Sequence, residues 1–280
     1  MSMPEGVPIP KAEATRSYGG EVALAPGNYV DATAEVARLA KEEGLTFAHL
    51  FAGPFVIAGQ GTLGLEILEQ APDVEQIVVP VGGGGLATGV AVAVKSIHPN
   101  VKVIGVQAPS IPSMSVSVTS SEVTTIKDGP TNANGIHVPT PGNMTFDLVS
   151  RYVDDVVTVT EDEIAAVIVA LLEGPKTMAE GAGASSAAAD LFGRVDTPLK
   201  AVALVSGGNV DITTLAWIII RGMQQTGRIA RQATKFVDKA DNLAKLVQLV
   251  TDDGANVLEI YQGKTRRRRS IPARLERVLR

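Results

Sequence analysis

The sequence predicts an α/β fold with a doubly wound, mainly parallel sheet, and three observations support this prediction. β-Branched runs alternate with helical patterns over most of the 280 residues. The hydrophobic fraction is 45% and the aromatic fraction is 4%, which fits a helix-rich α/β protein built from Ala, Val and Gly. Two glycine-rich turns, residues 82–85 and 206–209, each follow a predicted strand and precede a predicted helix. Ligands bind beyond the carboxyl ends of such strands, so we expect both turns to face one cleft.

The first 70 residues predict three helices and two short strands. Pro8 and Pro10 suit the first turn of a helix. Asp31 is the expected N-cap of an amphipathic helix that places Val36 and Leu39 on one face. The predicted helices cover residues 8–17, 31–43 and 56–70, and the predicted strands cover residues 21–24 and 46–50.

The middle of the chain continues the alternation around a long connection. Residues 110–142 are rich in Ser, Thr, Pro, Gly and Asn, and connections of this length are usually functional or mobile. Thr160 and Glu163 have the spacing of a capping box, which predicts a helix start at residue 161. The predicted strands cover residues 76–79, 102–107, 155–159 and 200–205, and the predicted helices cover residues 87–97, 161–172, 182–192 and 211–223.

After residue 227 the pattern changes to a small β-α-β unit. It is predicted to contain a strand over 229–237, an amphipathic helix over 242–251 and a strand over 255–261. The chain then ends in four consecutive arginines, residues 266–269, and a short basic stretch that is expected to be helical. Because the rest of the chain is acidic, the arginines are interpreted as a solvated tail rather than a nucleic-acid contact.

The glycine turn at residues 82–85 predicts a phosphate-bearing cofactor. Four consecutive glycines cost conformational entropy, which argues against a turn without a ligand. Backbone N–H groups without side chains can converge on a phosphate, and the helix dipole adds attraction. A dinucleotide is the alternative, since Gly82, Gly84 and Ala87 fit the relaxed Rossmann spacing. Gln107 stands where the ribose-binding acid is expected, which disfavours NAD.

Composition excludes several other classes. The formal net charge of −5 argues against a general nucleic-acid binder or a binder of anionic membranes. There is no cysteine, so no disulfide framework, thiolate nucleophile or cysteine metal site is available. The N-terminus does not resemble a signal peptide, and no apolar stretch reaches membrane-spanning length. A cytoplasmic protein is therefore expected.

Six motifs occur in one order along the chain and together carry a family resemblance. They lie at residues 3–22, 58–62 (Ala-Gly-Gln-Gly-Thr), 80–86 (Pro-Val-Gly-Gly-Gly-Gly-Leu), 151–155, 179–184 and 205–209. This set resembles the threonine dehydratase and serine racemase group of pyridoxal-phosphate enzymes, which have fold type II, the tryptophan synthase β-like fold. Residues 229–261 further resemble the first half of an ACT-like domain.

The resemblance implies pyridoxal 5′-phosphate as the cofactor and assigns roles to both turns. Gly82, Gly83, Gly84, Gly85 and Leu86 would bind its phosphate. Ser206, followed by Gly207, would lie against the pyridine nitrogen, where a hydroxyl can hydrogen-bond a neutral nitrogen without forcing its protonation. That arrangement suits β-elimination over transamination. Among the family's loops, residues 131–141 match the substrate-side lid.

The resemblance also implies a cation site in some members. Glu180, together with the backbone carbonyl of Ala184, matches two of the ligands. Ser186 stands where an aspartate is usual, which argues against a divalent or monovalent cation here.

One family motif is missing from this sequence. Family members carry Ser-Phe/Tyr-Lys-x-Arg-Gly, whose lysine forms the Schiff base with the cofactor, and none of the eleven lysines here has those neighbours. The chain is therefore expected to lack a catalytic lysine and to be an incomplete or inactive form. Its parts would be a remnant of the small domain (1–50), the large cofactor domain (51–227) and a partial ACT-like unit with a basic tail (228–280).

The implied activity is the dehydration and deamination of L-threonine or L-serine to a 2-oxo acid and ammonia, in a homo-oligomer with a small amino acid substrate and no nucleic-acid or membrane partner. Two alternatives stay open: a non-catalytic subunit that binds the cofactor or regulates a partner, and a serine racemase type of activity.

Overall fold

The N-terminal part forms a small parallel sheet with two helices. The computed structural model describes residues 1–7, 9–27, 29–127, 129–196, 198–237, 239, 241–262 and 270–278. Strands β1 (Ser2–Pro4) and β2 (Ala23–Ala25) pair in parallel, and α1 (Ile9–Ser17) connects them. Helix α2 (Tyr29–Glu43) begins two residues before the expected N-cap, Asp31, which lies in its first turn.

The strand predicted over residues 46–50 is wrong. These residues form no helix or strand, and no described strand pairs with them. The ring Nδ1 atom of His49 accepts hydrogen bonds from the N–H groups of Phe51 and Ala52, at 3.2 and 3.0 Å. These bonds bend the chain, whereas a strand needs an extended backbone and a neighbouring strand.

A four-stranded parallel sheet forms the centre of the structure, as the sequence predicts. Its strands are β3 (Gln76–Pro80), β4 (Lys102–Gln107), β5 (Asp155–Thr158) and β6 (Ala201–Ala203), in the spatial order β5-β4-β3-β6. The chain moves outward from β3 to β5 and then returns to place β6 on the other side of β3. The strand order therefore reverses between β3 and β6, and such a switch point is where open α/β sheets bind ligands.

Helices cover both faces of this sheet, so the doubly wound architecture is confirmed. Ile77 and Val79 of β3 pack in one apolar cluster, while Val78 between them packs in a second cluster on the opposite face. The first cluster contains residues of α3 (Pro54–Gln70), α4 (Gly85–Ile97), α5 (Ser113–Ser120) and α6 (Asn143–Tyr152). The second contains residues of α7 (Glu161–Glu173), α8 (Gly181–Leu191) and α9 (Ile212–Gln225).

Two helices on the first face touch through their backbones. A Cβ atom added at Gly89 of α4 would lie 2.7 Å from the Gly61 nitrogen of α3. Glycine at this crossing lets α3 and α4 approach more closely than side chains would permit. The contact fixes the axis of α4, and with it the glycine turn that precedes this helix.

The long connection is more ordered than the sequence suggests. It contains α5 and a short 3₁₀ helix, Asn134–Ile136, and α6 follows it directly. The sequence pattern predicts no helix at either α5 or α6. The Ser and Thr residues of α5 favour turns, so its sequence does not predict a helix. In the structure several of their hydroxyls donate to backbone carbonyls one turn earlier, as those of Ser117 and Thr119 do.

The C-terminal region contains the predicted β-α-β order and one further strand. It consists of β7 (Ile229–Val237), α10 (Asn242–Asp252), β8 (Asn256–Gln262) and β9 (Ser270–Val278). Strand β9 lies between β7 and β8 and is antiparallel to both, so the helical stretch expected at the C-terminus is wrong. The four arginines lie outside the described residues. In the described part of the chain, no helix has the length and apolarity needed to cross a membrane.

Candidate cofactor site

The two glycine-rich turns line one cavity of about 900 Å³ at the switch point of the sheet. The first turn follows β3 and the second follows β6, and these strands are direct neighbours in the sheet. The sequence-predicted residues that line the cavity are Gly82, Gly83, Gly84, Gly85, Leu86, Glu180, Ser206 and Gly207. The expected shared cleft is therefore present.

The first turn presents a row of backbone donors. Within the described residues, the N–H groups of residues 82–87 donate to no protein acceptor. Gly84 is the N-cap of α4 and has φ +95°, a left-handed conformation that favours glycine. Successive unpaired amides at the positive end of a helix make an anion-binding site, so this turn suits a phosphate.

The glycines of this turn are also required by packing. A Cβ atom added at Gly83 would collide with the ring of Phe51, and one at Gly85 would lie 2.5 Å from the carbonyl oxygen of Phe51. At Gly84 the added atom would lie 2.9 Å from Cβ of Thr145, whose hydroxyl donates to the Gly83 carbonyl at 2.6 Å. The turn is therefore enclosed by Phe51 on one side and by Thr145 on another.

The second turn is held against the start of α8. A Cβ atom at Gly183 would lie 2.6 Å from the carbonyl oxygen of Gly207 and closer still to that of Ser206. The N–H of Glu180 donates to the Gly207 carbonyl at 3.1 Å. Gly207 has φ +91°, and a Cβ atom there would lie 2.5 Å from Oε1 of Glu180. These contacts place the Glu180 carboxylate and the Ser206 turn on the same wall of the cavity.

The loop expected to be a lid forms the third wall. Residues 134–140 line the cavity, and a Cβ atom at Gly82 would lie 2.9 Å from Cα of Ile136. The carboxylate of Glu161, at the start of α7, accepts hydrogen bonds from the Thr131 hydroxyl and the Asn132 N–H. The base of this loop is thereby tied to the face of the sheet that carries α7.

At Glu180 and Ala184 the sequence argues against a bound cation, and this stays a prediction. Ala184 lies one turn into α8, and its N–H donates to the Glu180 carbonyl at 2.9 Å. Ser186 is fully buried, and its hydroxyl has no hydrogen-bond partner among the described residues. In the same part of the chain, no three His, Cys, Asp or Glu side chains cluster as metal ligands do.

Phe51 and Thr145 are site residues that sequence reasoning missed. Each lies far from the glycines along the chain, in a segment for which the sequence predicts no helix. The signal that could have found Phe51 is the run of glycines itself, since four residues without side chains imply a bulky neighbour. Nothing local marks Thr145.

The cavity fits a cofactor with one phosphate and a ring. Its donors include the amides of the first turn, and the Ser206 hydroxyl lies at the second turn. No lysine or arginine is among the described residues that line the cavity. A phosphate here would therefore be held by backbone N–H groups and the dipole of α4 rather than by a cationic side chain.

Comparison with known proteins settles the family. A family model described as pyridoxal-phosphate dependent enzyme matches residues 1–207. The chain belongs to this family. Pyridoxal 5′-phosphate is accordingly the cofactor, and NAD is set aside.

Individual proteins agree with this chain in sequence and fold. An L-threonine ammonia-lyase from Thermotoga maritima is 46% identical over 265 residues, which are 94% of this chain and 66% of that protein. The processed form of threonine deaminase isoform 2 from Solanum lycopersicum has a TM-score of 0.73 at 33% identity, covering 79% of this chain and 65% of that chain. For maize serine racemase the TM-score is 0.72 at 29% identity, covering 81% of this chain and 70% of that chain.

These matches confirm the recognised family and the fold type II architecture. The chain spans about two thirds of the length of these relatives.

Proposed function

We propose that this chain carries the cofactor cavity of an ammonia-lyase that converts L-threonine or L-serine to a 2-oxo acid and ammonia. The observation that carries the proposal is the shared cavity, in which an amide-rich turn and a serine hydroxyl lie at the ends of adjacent parallel strands. The name of the Thermotoga maritima relative, at 46% identity over 94% of this chain, supports the reaction class.

The residues of the two turns would bind different parts of the cofactor. The N–H groups of Gly82, Gly83, Gly84, Gly85 and Leu86 would bind the phosphate. Ser206, beside Gly207, would bond the ring nitrogen while leaving it neutral. When bound, pyridoxal phosphate supplies the electron-withdrawing ring for bond cleavage at the α-carbon of an amino acid. A neutral nitrogen weakens that withdrawal, which favours elimination over transamination.

A second candidate function follows from the cavity wall. Because no lysine lines the cavity among the described residues, we propose that this chain binds the cofactor through non-covalent contacts. A few amide–phosphate hydrogen bonds, each worth about 1.5–3 kcal/mol, are enough for weak reversible binding. Losing a positioned general acid or base costs about 10²–10⁴-fold in rate. A cofactor-binding subunit without activity of its own is therefore the alternative.

We also propose the division into residues 1–50, 51–227 and 228–280. Each part contains one of the three sheets, the pair β1-β2, the central sheet and the sheet β7-β9-β8, and this supports the boundaries. An ACT-like nature of the third part and a homo-oligomeric assembly remain predictions. Analytical ultracentrifugation of the full chain measures whether it forms a homo-oligomer.

The test is a titration of the chain with pyridoxal phosphate, followed by absorbance spectroscopy. Borohydride reduction and peptide mapping then report any covalent lysine, and a keto-acid assay with L-threonine reports turnover. Saturable binding without a lysine adduct and without turnover supports the cofactor-binding subunit. A stoichiometric adduct at one lysine, with turnover, contradicts non-covalent binding and establishes the lyase.

A matched pair of variants tests the role of the second turn. Ser206→Ala should change the absorbance of the bound cofactor, which depends on the state of the ring nitrogen. Ser185→Ala removes a buried hydroxyl of α8 that donates to the Ala182 carbonyl at 2.7 Å, and it should leave the spectrum unchanged. Identical spectra for both variants and the wild type would show that Ser206 does not contact the cofactor ring.

A further inference from the structure

We propose that Thr145 is a positioning residue that aims the amide of Gly84 at the cofactor phosphate. The inference rests on the proposed role of the turn at residues 82–85 and adds a residue outside both turns. Thr145 lies in the first turn of α6, and its side chain is fully buried. It does not line the cavity, so it would act only through the turn.

The hydroxyl of Thr145 has two carbonyl oxygens within reach. Oγ1 lies 2.6 Å from the Gly83 carbonyl and 3.0 Å from the Gly142 carbonyl. A hydroxyl has a single proton to donate. The shorter bond, to Gly83, joins α6 to the glycine turn, whereas the Gly142 contact is local to the start of α6.

This bond sets the direction of the peptide between Gly83 and Gly84. In a planar trans peptide the C=O and the following N–H point to opposite sides, and no described peptide bond is cis. With the Gly83 carbonyl directed toward α6, the Gly84 N–H points away from α6. Gly84 lines the cavity, and its N–H has no acceptor within the described residues.

A peptide between two glycines needs such an anchor. Without Cβ atoms on either side, both orientations of the peptide are sterically allowed. A buried carbonyl that loses its donor is strongly disfavoured, so it would turn toward the water of the cavity. That rotation would replace an N–H donor by a carbonyl oxygen at the place where the phosphate binds.

Shape and hydrogen bonding at Thr145 can be separated by substitution. A Cβ atom at Gly84 would lie 2.9 Å from Cβ of Thr145, so the carbon skeleton of Thr145 also packs against the turn. Thr145→Val keeps that shape and removes the hydroxyl. Thr145→Ser keeps the hydroxyl and removes one methyl group.

The experiment compares dissociation constants for pyridoxal phosphate and for pyridoxal, which lacks the phosphate, on the full chain. Thr145→Val should weaken pyridoxal phosphate about tenfold or more and leave pyridoxal unchanged, since only an amide–phosphate bond is lost. Thr145→Ser should restore wild-type binding. Ser117→Ala, which removes another buried hydroxyl that donates to a carbonyl at 2.7 Å, should bind both ligands normally.

A spectroscopic readout reports the amide itself. In the chain labelled with ¹⁵N-glycine, inorganic phosphate should shift the Gly84 amide resonance in the wild type and in Thr145→Ser, but not in Thr145→Val. Wild-type affinity of Thr145→Val, or equal weakening of both ligands, would overturn the inference while the cofactor role of the turn stands. Failure of the wild type to bind either pyridoxal phosphate or inorganic phosphate would overturn both the role of Thr145 and the cofactor role of the turn.

Discussion

Replacing Gly183 by alanine tests how closely α8 holds the Ser206 turn. The added Cβ atom would lie 2.6 Å from the Gly207 carbonyl oxygen and closer still to that of Ser206. An ordinary carbon–oxygen contact is about 3.3 Å. The Gly207 oxygen alone would have to retreat by about 0.7 Å, and the turn must move farther than that because the Ser206 oxygen is closer. Overpacking of this kind costs about 1–3 kcal/mol of unfolding free energy. The better helix propensity of alanine offsets at most about 1 kcal/mol of that cost.

We therefore expect Gly183→Ala to lower the free energy of unfolding by about 1–2 kcal/mol in urea denaturation. Pyridoxal phosphate should bind about tenfold more weakly, because the Ser206 hydroxyl would move away from the ring nitrogen that it is proposed to bond. Gly59→Ala is the control, since Gly59 lies in helix α3 with nothing within 4 Å of an added Cβ atom, and it should be neutral or stabilising. If Gly183→Ala matches that control in stability and binds like the wild type, the close contact between α8 and the turn is refuted.

Two further predictions concern a left-handed glycine and a buried carboxylate. Gly84→Ala should lower the free energy of unfolding, measured in urea, by about 2 kcal/mol more than Gly193→Ala does. Both glycines have positive φ, but only Gly84 is enclosed by α6. Equal losses in the two variants would contradict this. At Glu163, burial raises the pKa, but the backbone N–H of Thr160 and the side chain of Arg194 outweigh it and hold the pKa below its usual value. A lowered folded-state pKa stabilises the fold above the unfolded pKa of about 4.3 and loses this effect as pH falls through the folded value. Glu163→Gln should therefore lower the free energy of unfolding by about 1 kcal/mol at pH 7 and leave it unchanged near pH 2, as measured by thermal denaturation. A loss of stability that does not depend on pH would contradict this prediction.

The sequence predicts the central architecture because its signals are local. Residues 102–107 are a β-branched run and form β4 with the predicted bounds. The capping box at Thr160 and Glu163 starts α7 as expected, with both of its reciprocal hydrogen bonds present. When a pattern lies within one helix or strand, residues that interact are also close along the chain, so the sequence alone predicts their contact.

The failed predictions concern segments whose structure depends on neighbours. Residues 46–50 have strand-forming side chains, but the structure offers them no strand to pair with, and His49 bends the chain. The helix α5 is rich in serine and is recognisable only once its hydroxyls bond the preceding turn. The final strand, β9, fills the gap between β7 and β8, which no local pattern indicates.

The sequence by itself determined the chemical character of the site. Glycines at residues 82–85 before a helix provide backbone donors that suit a phosphate, and Ser206 after a later strand provides a neutral hydroxyl. Only the tertiary structure decided how these groups meet. Placing β6 beside β3 brings the two turns together across more than 120 residues of chain, and the contacts of Phe51, Thr145 and Gly183 then set their positions. The physical reason is that the orientation of a peptide group depends on the atoms packed around it, and in this cavity those atoms come from distant segments.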